Sequence, residues 1–271
     1  MSGFRIVEPV FKPRVWGSVD LSAWFPGRNP GAEPIGEAWL SPKNCPVLIK
    51  LLFPRERVSV QVHPDDAWAR AHGLACGKSE AWYVLAAEGG AQVAAGLLPG
   101  VSKTELEAAC RAGRGASVLR WLPVAAGDVI SIPAGTVHAI GGGMTLLEVQ
   151  QPSDTTFRLD DYGRGRELHL EQGLEVARAT EAGRIAHGLG LEQSGSLLAT
   201  AHWQLWRHCV RGGDGGTVAP QPFARWLINA GEGGPIPKGH LAELAADAEF
   251  DTRGATTLLE VRPGATAHDR P

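Results

Sequence analysis

The 271-residue chain is long enough to bury a real core, either as one large all-β unit or as two modest domains. A formal net charge of -3, with no Lys/Arg-rich run, argues against a nucleic-acid partner and for a small-molecule one. No window approaches the roughly 18 apolar residues of a membrane span, and "MSGFRIVEPVFKPRVWG" lacks a charged start followed by an apolar core, so a cytoplasmic protein is expected.

Four cysteines, Cys45, Cys76, Cys110 and Cys209, lie far apart without a C-x-x-C pair, which speaks against a thiolate zinc site and a disulfide framework. The 35 glycines and 19 prolines punctuate short apolar runs, as in chains of many short strands. In chain order the strand-length runs are "CPVLIKLLF", "RVSVQVH", "AWYVLAA", "AQVAAGL", "GDVISIP", "TLLEVQQ" and "TTFRLDD". Three helices interrupt or follow them: "DDAWARAHG", "SKTELEAACRAG" with a capping box of Ser102 and Glu105, and "LHLEQGLEVARAT" over Leu168 to Thr180. After the loose "EAGRIAHGLGLEQSGS" come "WQLWRHCV", "FARWLINA" and "ATTLLEVRPG", strands again. The expected organisation is a β domain over 1–165, a helical linker over 166–194 and a smaller C-terminal β domain over 195–271.

Valines 58, 60 and 62 alternate with Ser59, Gln61 and His63, the period of a half-buried strand. Its polar face either meets water or points into a cavity where two donors can share a metal ion. The same two-residue rule puts Lys78 and Glu80 on one face of "CGKSEAWYVL". In "GDVISIPAGTVHAIGGG", Gly127 and Asp128 make a turn, Val129 to Ile132 a strand, and Pro133 with Gly135 a tight corner that delivers His138. A Gly-Asp start followed by Pro-x-Gly-x-x-His resembles the second motif of the cupin superfamily, whose jelly-roll barrels hold a metal. With Gln-x-His in place of His-x-His, and "VQVHPDD", "GKSEAWY", "IPAGTVHAIGGG" and "EVQQPSDTTFRLDDYGR" in this order, the chain closely resembles the type I mannose-6-phosphate isomerases (phosphomannose isomerases), including their short bacterial form. "FKPRVWG" and "PIGEAW" resemble that family's N-terminal segments, so the likeness covers roughly the first 165 residues.

The resemblance implies an all-β cupin jelly-roll barrel with a few decorating helices and a second, degenerate β domain. It implies one Zn²⁺ per chain held by Gln61, His63, Glu80 and His138, a nitrogen and oxygen set that suits zinc and leaves a position for water or substrate. It places Glu148 and Arg158 in the active site, against the plainer reading of a structural ion pair, and Lys78 and Lys50 near the pocket. The implied reaction interconverts mannose 6-phosphate and fructose 6-phosphate through an enediolate. Glu148 ranks above Lys78 as proton carrier, while Arg158, Lys78 and Lys50 all stand as phosphate-binding cations. A non-catalytic sugar-phosphate binding or regulatory cupin is the rival, and an iron-dependent cupin dioxygenase, normally richer in histidine, a more distant one.

No second ligand set follows in the C-terminal segment, which reads as structural, with Trp203 and Trp206 in its packing. His72 lies near the pocket rim, whereas His169, His187, His202, His208, His240 and His268 show no paired spacing with a carboxylate.

Overall fold

The computed structural model describes residues 3–28, 31–187, 190–210 and 216–264; His268 lies outside them. The strands are β1 (Phe4–Val7), β2 (Val10–Ser18), β3 (Ile35–Trp39), β4 (Leu48–Leu52), β5 (Val60–Val62), β6 (Glu80–Ala87), β7 (Gln92–Leu97), β8 (Leu119–Pro123), β9 (Val129–Ile132), β10 (His138–Ile140), β11 (Met144–Gln150), β12 (Phe157–Asp160) and β13 (Arg184–Ala186). Then follow β14 (Gly195–Ala199), β15 (Trp203–Cys209), β16 (Thr217–Val218), β17 (Arg225–Asn229), β18 (Leu241–Leu244), β19 (Phe250–Asp251) and β20 (Thr257–Pro263). Among the described residues three α-helices decorate them: α1 (Asp66–Ala71), α2 (Lys103–Arg111) and α3 (Leu170–Val176). The expected all-β architecture is therefore the observed one.

The chain divides into two compact units, Leu52–Ala186 and Met1–Leu51 with His187–Pro271. In the first, antiparallel strands form a sheet in the order β12-β5-β10-β7-β8 and a second run β13-β9-β6-β11. Val60, Val62, Ala94 and Leu159 of the five-stranded sheet bury against Leu106 and Cys110 of α2 and Val176 of α3. That contact takes up the apolar face of β5 and leaves Gln61 on the other face. Among the described residues no closed barrel is detected, since no continuous hydrogen-bonded closure joins the two sheets.

The helices begin where side chains can cap them. Asp65 accepts from the backbone N–H of Trp68 at α1, and Ser102 with Glu105 forms the capping box of α2. The third helix is shorter than the expected 168–180, because the Arg178 N–H turns to the Gly135 carbonyl (2.9 Å) instead of continuing the helical ladder. Nor is 166–194 only a linker: β13 pairs with β9 as Ile185↔Ile130. Gly183 permits that approach, since a Cβ there would lie 2.7 Å from the Ser131 carbonyl oxygen.

The other unit holds a sheet in the order β1-β18-β17-β20-β15-β14, a small β16-β19 pair and the β2-β3 pair. Strand β1 pairs with β18 (Ile6↔Ala242), so the N-terminal residues group with the C-terminal strands and not with the rest of 1–165 as expected. Leu227, Ala242, Leu244, Phe250 and Leu258 form its core. All four cysteines are free thiols, and no helix among the described residues is long and apolar enough to cross a membrane.

Candidate metal centre and active site

The question of sidedness at β5 is answered by its neighbours. Val60 and Val62 are fully buried under the helices, so Gln61 turns to the opposite face, and His63 follows two residues later. His138 pairs directly with Gln61 across the β10-β5 ladder. The corner before His138 is built as the sequence indicates: Gly127 and Gly135 take positive φ (96° and 87°), and the Gly135 N–H donates to the His63 carbonyl (2.9 Å). Glu80 opens β6 in the facing sheet.

These strands bring His63, Glu80 and His138 together, all buried, with one ligand atom from each within 4.8 Å of the others. Each imidazole is oriented from behind. The Nδ1–H of His63 donates to the Thr155 carbonyl (3.1 Å) and that of His138 to the Thr136 carbonyl (2.9 Å), which sets the tautomer with a bare Nε2 facing inward. His63 Nε2 then stands 3.3 Å from Glu80 Oε2, and His138 Nε2 stands 3.4 Å from Glu80 Oε1. The Gln61 amide reaches the same place, 3.2 Å from His138 Nε2, and a half-turn of the amide presents its oxygen there.

Electrostatics favour metal-ready protonation states. Burial, reinforced by the Lys78 ammonium, pushes the His63 pKa from 6.5 down to about 3, and burial likewise lowers that of His138. Burial pushes the Glu80 carboxyl up, yet the Lys78 charge and the two imidazoles outweigh it and hold the group well below its ordinary range. Two neutral imidazoles and a carboxylate result, a donor set for a divalent cation. Glu80 Oε1 is buried without a hydrogen bond, a lone pair consistent with a metal ligand.

Lys78 is 3% exposed, and its Nζ lies 2.5 Å from Glu80 Oε2 and 2.8 Å from His63 Nε2, inside the site and not at a solvated edge. Glu148 is buried on β11 and accepts from the indole Nε1–H of Trp82 (3.0 Å), its cross-strand partner. Arg158 pairs with Gln61 across β12-β5, and its Nη1 donates to the Glu167 carbonyl (2.6 Å). Lys50 stands on β4, 3% exposed, with Nζ 5.0 Å from the Trp39 ring centre. Exposed His72 stacks on Trp68 (3.7 Å) and hydrogen-bonds the Trp68 carbonyl.

Sequence reasoning missed Trp82, which also meets the His138 ring edge-on at 5.6 Å. Counting two from Glu80 along β6 would have found it. The Thr136 and Thr155 carbonyls carry no such signal, because backbone acceptors are blind to residue type. His208 pairs with Glu260 at 2.7 Å in the other unit, a contact between antiparallel neighbours that spacing along the chain cannot reveal.

No protein-family model matches the chain. It is 39% identical over 195 residues to the mannose-6-phosphate isomerase of Streptococcus mutans, covering 68% of this chain and 59% of that protein. Mannose-6-phosphate isomerase ManA of Bacillus subtilis is 33% identical over 235 residues, covering 71% of this chain and 73% of that one. The crystal structure of the mannose 6-phosphate isomerase from Bacillus subtilis superimposes with a TM-score of 0.81 at 25% identity, covering 95% of this chain and 98% of the other. With that extent of shared sequence and fold, the chain belongs to the mannose-6-phosphate isomerase family.

Proposed function

We propose that the chain is a zinc-dependent aldose-ketose isomerase that interconverts mannose 6-phosphate and fructose 6-phosphate in the cytoplasm. The observation that carries this reading is the convergence of His63, Glu80 and His138, with the Gln61 amide beside them, in a member of this family. When bound by these four side chains, zinc supplies a positive charge that stabilises negative charge on a substrate oxygen.

The remaining work falls to the chain's own groups. Glu148 carries the carbon-bound proton from C2 of the aldose to C1 of the ketose, while the hydroxyl proton passes from O2 to O1 of the enediolate; Glu148 is a carboxylate outside the ligand set while both histidines serve the metal. Lys78, whose Nζ touches Glu80 and His63, is the second candidate for that task, which only a neutral amine can perform. Arg158 stabilises the charge that develops on the enediolate oxygens. Arg158 and Lys78 are the cations for the phosphate, and the guanidinium offers the better bidentate geometry.

A coupled assay across hexose 6-phosphates, run on protein of known metal content, tests the proposal. Turnover of mannose 6-phosphate with about one zinc per chain is expected, and Arg158→Ala should keep the metal while losing roughly 100-fold or more in kcat. Zinc without turnover of any hexose 6-phosphate would identify a non-catalytic sugar-phosphate binder instead.

A further inference from the structure

Trp82 is fully buried in β6, two residues from Glu80 and on the same face. Its indole touches two parts of the site at once: the Nε1–H donates to Glu148 Oε2 at 3.0 Å, and the ring lies edge-on to His138, centroids 5.6 Å apart at 68°. The β11-β6 register sets Trp82 directly opposite Glu148 and Glu80 opposite Gln150, so backbone pairing fixes this geometry before any substrate arrives.

We propose that Trp82 is a positioning residue for proton transfer: its N–H fixes the rotation of the Glu148 carboxylate, and its ring fixes the distance between that carboxylate and His138. This rests on the reading of Glu148 as proton carrier. An indole N–H only donates, so Glu148 Oε2 is always the acceptor, and a charged acceptor makes the bond a strong one. A carboxylate that shuttles a proton between adjacent carbons must keep one orientation toward both, and a freely rotating one loses rate without losing affinity.

The test is a cycle of Trp82→Phe, Glu148→Gln and the double variant, with metal content measured for each. Phenylalanine keeps a ring against His138 and deletes the donor. The expected result is a kcat lower by about 10-fold or more with KM changed less than about twofold, metal retained, and no further loss from Trp82→Phe in the Glu148→Gln background. A wild-type kcat for Trp82→Phe, or an equal loss in both backgrounds, would overturn the proposal, the latter by assigning Trp82 to packing. A wild-type rate for Glu148→Gln would instead overturn the role of Glu148 and this inference with it. Should Trp82→Phe fail to fold, indole N–H resonances of the unsubstituted enzyme are compared with those of Glu148→Gln. One downfield indole signal should move upfield as its acceptor loses charge, and an unchanged indole region would contradict the contact.

Discussion

At the residue scale, the ligand candidates were legible because each sits in a short local pattern. The valine alternation around Gln61 and His63, the Lys-x-Glu pair and the Pro-x-Gly-x-x-His corner each fix a side chain's face. What could not be read was the shell behind them, since the carbonyls of Thr136 and Thr155 belong to the backbone and Trp82 looks like any buried aromatic. Burial of neutral imidazoles also has a cost that pH exposes. Between pH 6.5, the ordinary value, and about 3, the unfolded chain binds a proton at His63 that the folded chain refuses. The stability from this group is whole above 6.5 and drains away as pH falls through that window. Below 4.5 the depressed Glu80 adds a loss of the same sign. Thermal unfolding of metal-free protein should therefore show a midpoint that falls steadily from pH 6.5 toward 4; a constant midpoint from pH 7.5 to 4.5 would contradict the assigned protonation states.

At the element scale, strands and helices with a strong period or cap appear where expected, whereas weakly patterned ones were missed. Strand β13 is three residues long and depends on the close approach at Gly183, a tertiary property. Trp203 and Trp206 illustrate the period of a strand: three apart, they point to opposite faces, Trp203 being 1% exposed and Trp206 half-buried under the Arg262 guanidinium at 4.3 Å. Position Lys78–Glu80 relies on a strut of the same kind. The Gln151 side chain accepts from Ser79 N–H (2.8 Å) and donates to Asp66 Oδ1 (2.9 Å), which also accepts from Gly77 N–H (2.7 Å). Gln151→Leu strands these groups, so denaturant unfolding should show a loss of about 1–3 kcal/mol. Metal titration should show weaker binding, because Glu80 is one residue from the released strand end. Unchanged stability and affinity would remove the strut from the account.

At the scale of the whole molecule, the glycine- and proline-punctuated short runs pointed to an all-β chain, but chain order was a poor guide to its units. Strand β1 completes a sheet more than 230 positions away in sequence, as the Phe4↔Leu244 pairing shows, and no local pattern encodes such a partner. By contrast, His63, Glu80 and His138, which come together, all fall within Leu52–Ala186, as do Gln61, Lys78, Glu148 and Arg158, whereas Lys50 falls in the other unit. The central claim is that this unit works through a divalent cation. The most direct measurement strips the purified protein with a chelator, assays mannose 6-phosphate isomerisation, restores zinc and assays again, with His138→Ala in parallel. Activity should vanish with the metal, return with zinc, and stay absent in His138→Ala, which should bind no zinc. Full turnover in metal-free protein would contradict the account.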